Sequence, residues 1–152
     1  MIPQTTWLQP ALHPVYARLL CAELRRQEFT PERILDGTRL SWQSLHEDNS
    51  FLTFEQMRRL IVQALMLTGR PWLGIEVGLQ TQASAHGALG AAAIASSNLA
   101  QAMTLLQRYA GLRQSMVSVR LEEGDGLAMV VDEHLMTGEI REYLLCLFVA
   151  VI

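Results

Sequence analysis

SMVSVRLEEGDGLAMVVD, Ser115–Asp132, is the stretch that decides the fold class. On either side of it, apolar residues recur every three or four positions. Within it they alternate. Val117, Val119 and Leu121 fall on one face, with Ser118 and Arg120 on the other. After the turn EEGDG, Leu127, Met129 and Val131 repeat the alternation. Two period-two segments around a glycine-bearing turn predict a β-hairpin. A hairpin in an otherwise helical chain predicts an α+β fold: one mostly helical domain with a small antiparallel sheet.

Working outward, the helical segments carry their own start and stop signals. Val15, Tyr16, Leu19, Leu20 and Leu24 form a stripe at helical spacing. In TPERILDGT, Thr30 suits an N-cap, Pro31 the first helical position and Gly37 a left-handed stop. LSWQSLHED reads as a short helical turn. Thr53 and Gln56 have capping-box spacing before a stripe of Met57, Leu60, Ile61, Ala64 and Leu65, and Gly69 and Pro71 end that helix. PWLGIEVGLQ reads as a weaker helical turn. Ser97 is placed to cap a helix with Leu99, Ala102, Met103, Leu106 and Tyr109 on one face. Thr137 is placed to cap a last helix with Ile140, Tyr143, Leu144, Leu147, Phe148 and Val151 in its stripe, apolar all round from Tyr143 onward. Such a helix is expected inside a protein. The chain stops within it, which points to a truncated chain or to a partner covering its end.

The bulk properties narrow the function. The 152 residues suffice for one core, half of them are hydrophobic, and 18% are charged. The net charge is −3. All basic residues are arginine and form no stripe, so the chain itself is a poor nucleic-acid binder. Cys21 and Cys146 stand far apart in apolar helical settings, as buried thiols of a reducing cytoplasm do. The N-terminus lacks the layout of a signal peptide. The longest apolar run, YLLCLFVAVI, falls short of the roughly 20 residues that cross a bilayer.

HGALGAAAIASS, His86–Ser97, raises the question of a phosphate loop. A dinucleotide fingerprint needs three glycines after a buried strand, and here Gly87 and Gly90 give only G-x-x-G. A Walker loop needs a lysine, which this chain lacks. Small residues in this run are expected to let a helix cross a neighbour closely, or alternatively to leave room along a ligand pocket. The histidines His13, His46, His86 and His134 include no pair with zinc-helix spacing, and no G-x-S-x-G elbow is present. The acidic pairs Glu122–Glu123 and Asp132–Glu133 flank the hairpin, where solvated charges belong. An enzyme, a metal site and a cofactor are not expected; a thiol enzyme using Cys21 or Cys146 ranks last.

The segments ILDGT, LTGRPWLGIEVG and HGALG…SSNLAQAMTLLQRY, followed by a strand pair with LEEGDG, resemble the N-terminal domain of AraC-type transcription regulators, in the arabinose-binding-domain branch. The resemblance runs from about Val15 to Ile152. It implies a bacterial, cytoplasmic regulatory domain, residues 1–152, that senses a small effector and often dimerises. DNA would be bound only through a C-terminal pair of helix-turn-helix motifs that this chain lacks. The branch name does not make arabinose the ligand. A pure dimerisation module without an effector is the alternative.

Candidate effector contacts follow from residue type and place. Tyr109 and Arg113, one helical turn apart before the hairpin, would offer an aromatic ring and a fixed cation to a polar or anionic molecule. His86 joins them through its glycine-rich neighbourhood, and Trp72, Met116 and Met129 are candidate apolar lining.

Overall fold

The computed structural model describes residues 8–47, 50–134 and 137–151. It is α+β and mostly helical, with two small two-stranded antiparallel sheets among the described residues. Its contacts gather into two compact units. One comprises Met1–Thr81 with Thr137–Ile152, the other Gln82–Met136.

The first unit begins with strand β1 (Pro10–Leu12), paired with β2 (Leu52–Thr53). This small sheet has no alternating stretch long enough to announce it in the sequence. Helix α1 (Val15–Arg26) buries Ala17, Leu20, Cys21 and Leu24, so its inward face is rotated from the expected stripe, and Val15, Tyr16 and Leu19 lie at its margin. Helix α2 (Pro31–Leu35) is capped by Thr30, and Gly37 adopts φ +69° after it. Helix α3 (Phe54–Thr68) starts with the full capping box of Thr53 and Gln56 and ends at left-handed Gly69. Its buried face, Phe54, Met57, Leu60, Ile61 and Ala64, is the centre of the core.

Helix α4 (Leu73–Gln80) packs against α7 (Arg141–Val151). Gly74 and Gly78 sit one turn apart at this crossing. A Cβ on Gly74 would collide with the Tyr143 carbonyl oxygen, and one on Gly78 would lie 2.5 Å from the Ala150 Cβ. Thr137 does not cap α7. It precedes a 3-10 turn, Gly138–Ile140, and its side chain makes no capping hydrogen bond. Ile140 and Tyr143 are buried, whereas Leu144 to Phe148 are half-buried and Val149 is exposed. The helix, apolar from Tyr143 onward, is thus only partly inside: Tyr143 is buried, and the residues after it are half-buried or exposed.

In the second unit a 3-10 turn, Ala83–His86, leads to α5 (Ala88–Ile94) and α6 (Leu99–Tyr109). Asn98, not Ser97, caps α6: its side chain accepts from the Gln101 N–H at 2.9 Å. The Ser97 N–H instead donates to the Gln101 side chain. Of the expected α6 stripe only Met103 is buried, and Leu99 remains 66% exposed. Within His86–Ser97, Gly90 makes a close contact, where a Cβ would collide with the Ala83 carbonyl oxygen. Ala91, Ala92 and Ile94 are exposed.

The hairpin forms as the alternation predicts. Strands β3 (Val117–Glu123) and β4 (Leu127–Glu133) pair without a register shift from Val117↔Glu133 to Glu123↔Leu127. Val119 faces Val131 and Leu121 faces Met129 on the apolar side. The Leu127 side chain, part of the expected alternation, lies outside the described set. On the opposite side Arg120 reaches Asp132 and Glu122, each at 2.6 Å. Gln107 of α6 accepts the Leu121 N–H at 3.1 Å and ties helix to hairpin.

Candidate functional site

The chain reverses direction at Gly87, whose φ of +61° and ψ of −138° suit glycine alone. That reversal places His86 at the end of one 3-10 turn, beside Arg113 at the end of another, Ala110–Leu112. The Arg113 guanidinium donates from Nη2 to the Ala85 carbonyl at 3.1 Å. Its Nε is buried and makes no hydrogen bond. A Cβ on Gly87 would lie 3.7 Å from Nη1. Burial, and then the adjacent Arg113 charge, push the His86 pKa below its ordinary value. Two basic side chains therefore share one corner, and burial keeps the imidazole towards its neutral form.

The other predicted residues lie elsewhere. Tyr109 is partly exposed, and its ring is covered by the guanidinium of Arg108, 5.6 Å from the centroid. Met116 is buried just before β3, where its carbonyl accepts the His134 N–H at 2.8 Å. Met129 is half-buried opposite Leu121. Trp72 belongs to the other unit, is 53% exposed, and donates from Nε1 to Glu76 at 3.0 Å. The structure thus brings His86 and Arg113 together and sets Tyr109 beside Arg108. The Ala85 carbonyl that anchors Arg113 is a backbone group, and no residue type in the sequence announces it.

The first unit carries an open cleft of about 400 Å³ lined by Glu23, Arg26, Gln27, Arg70, Glu76, Leu79 and Gln80. Its charges answer one another. Buried Glu23 accepts from Arg26 at 2.6 Å and from Gln27 at 2.8 Å, and Arg70 meets Glu76 at 3.2 Å. Cys21 is buried nearby in the sequence of α1, and burial pushes its thiol up to about 12, which leaves it protonated and a poor nucleophile. Among the described residues no three His, Cys, Asp or Glu side chains cluster as a metal site, and no helix is long and apolar enough to cross a membrane.

The chain resembles known proteins over most of its length. The chain is 29% identical over 113 residues to the ornithine utilization regulator of Pseudomonas aeruginosa, a match covering 74% of this chain and 33% of that protein. It therefore spans about a third of the length of this curated relative. The family described as the arabinose-binding domain of AraC transcription regulator, N-terminal, matches residues 29–152. That family is a transcription-regulator domain and not an enzyme family. With most of its length matched, the chain belongs to the arabinose-binding-domain family of AraC transcription regulators.

Proposed function

We propose that this chain is a cytoplasmic regulatory domain that binds a small effector, dimerises, or does both, and so controls an attached DNA-binding domain. The family match across residues 29–152 carries this reading. An effector with different affinities for two conformations would shift their populations, and the attached domain would read the shift. DNA contact is assigned to a C-terminal domain outside these residues, in keeping with the net charge of −3.

A second reading, a dimerisation module without an effector, is favoured by one feature. Trp72, just before α4, and Ile75 and Leu79 within it are exposed at helical spacing. Side chains of this size on one helix face suit packing against a second copy.

A thermal-shift screen at two protein concentrations separates the readings. The compounds are amino acids including ornithine, sugars including arabinose, fatty acids and small aromatic acids. A saturable rise in melting temperature with one class supports the sensor. A melting temperature that rises only with protein concentration supports the dimerisation module.

A further inference from the structure

We infer that the Arg113 guanidinium, with the His86 ring beside it, is the docking point for a carboxylate group on the effector. The inference rests on the sensor reading above and adds the effector's chemical class.

Arg18 and Arg25 also donate to backbone carbonyls, of Leu45 and Phe29. Only for Arg113 among the described arginines, however, is a guanidinium nitrogen, Nε, buried without a hydrogen bond. Five other arginines are paired with carboxylates. Arg26 pairs with Glu23, Arg58 and Arg59 share Glu55, Arg70 meets Glu76, and Arg120 is held by Asp132 and Glu122. Arg113 is part-buried yet has no carboxylate within ion-pair distance among the described residues. It is anchored by a neutral carbonyl, which orients the fork without cancelling its charge. A buried cation without a counter-ion is costly, and an arriving anion relieves that cost. The planar guanidinium matches a carboxylate with two parallel N–H donors. His86 contributes a second polar group near Arg113, and an imidazole held towards its neutral form adds little repulsion to the guanidinium. The site therefore asks for one negative charge in a planar group, which a neutral sugar lacks.

The test uses the whole chain with hexanoate, benzoate, succinate and alanine, each beside its carboxamide. Binding is read by melting temperature and calorimetric titration, and the His86 resonance is followed by NMR. At least one carboxylate is expected to bind roughly tenfold or more tightly than its amide. Its addition should raise the His86 pKa. Arg113→Met should lose this binding while melting no lower than the parent chain without ligand, since it removes an uncompensated charge. Equal response to acid and amide overturns the inference, as does undiminished carboxylate binding in Arg113→Met. Should that variant not fold, a bound carboxylate that leaves the His86 resonance unmoved overturns it in the parent chain. A neutral compound that stabilises parent and Arg113→Met alike overturns the inference but keeps the sensor reading. No response to any of these compounds overturns the inference, and the wider screen above, with its sugars, decides the sensor reading.

Discussion

Gly74 of α4 lies directly against the backbone of α7, where a Cβ would collide with the Tyr143 carbonyl oxygen. Backbone cannot move aside as a flexible side chain can, so the two helices would have to separate. Gly74→Ala is therefore expected to destabilise the chain by about 1–3 kcal/mol, in the range of overpacked cores. Gly111 has open space around it, and Gly111→Ala should change stability by less than about 0.5 kcal/mol. Urea titrations of the two variants make the comparison. Equal stabilities would refute the close crossing.

The two helix caps separate the α6 start seen in the structure from the one expected from sequence. Thr53→Ala removes the capping box of α3 and Asn98→Ala removes the cap of α6. Each should cost about 1 kcal/mol. Ser97→Ala should be nearly neutral. If Ser97→Ala proved as costly as Asn98→Ala, the assignment of Asn98 as the cap would be wrong.

Glu55 should make stability depend on acid pH. Hydrogen bonds from Arg58, aided by Arg59, lower its pKa from 4.5 to about 2 in the folded chain. A carboxylate depressed on folding stabilises above its unfolded pKa. That contribution fades as pH falls from about 4.5 through about 2. Glu55→Gln should therefore lower the melting temperature at neutral pH and make much less difference near the lower limit. Added salt should shrink the effect, because the three side chains are partly solvated. A pH-independent difference between variant and parent would count against the ion-pair origin.

His86 titrates in the opposite sense to a histidine gaining an acidic partner. Its pKa is depressed in the folded chain, by burial first and by Arg113 second. The unfolded chain therefore takes up the proton first as pH falls below about 6.5, and stability declines there. Arg113→Met removes the second cause and should move the His86 titration upward, but not fully to its ordinary value. NMR titration of the ring protons reads both, and an unchanged midpoint would show that the two side chains do not sense each other.

Cys21 and Cys146 should differ in reactivity. Cys21 is buried with its thiol pushed up to about 12, whereas Cys146 is half-buried. Iodoacetamide should modify Cys21 only as fast as the chain opens. Mass mapping of the alkylated chain checks this, and rapid native labelling at Cys21 would contradict its burial.

Local signals were legible where the cause is local. Thr30, Thr53, Gly37 and Gly69 act within one turn of their own positions, so their roles could be read from neighbouring residues. The hairpin was legible because alternation and turn lie together. The small β1–β2 sheet was not, since its strands are short and lie far apart in the chain. The crossing glycines were misplaced for a related reason. HGALGAAAIASS is richer in small residues, but Gly74 and Gly78 in LGIEVG are the pair that meets α7. Among the candidate site residues, the helical spacing of Tyr109 and Arg113 suggested a pair. The 3-10 turn after α6 instead directs Arg113 to Ala85, next to His86.

The sequence by itself determined the α+β class, the hairpin and its register face, the caps of α2 and α3, and membership of the regulator family. The class, hairpin and caps rest on residue type and short-range spacing, and the family membership on the resemblance of several segments in order along the chain. Only the tertiary structure decided that α7 is buried at Tyr143 but half-buried from Leu144 to Phe148, that Gly74 and Gly78 form the close crossing, and that Arg113 is a part-buried cation without a carboxylate partner among the described residues. Each depends on which backbone arrives from elsewhere in the chain. The space beside a glycine or the charge beside an arginine is a property of that partner, not of the residue that carries it.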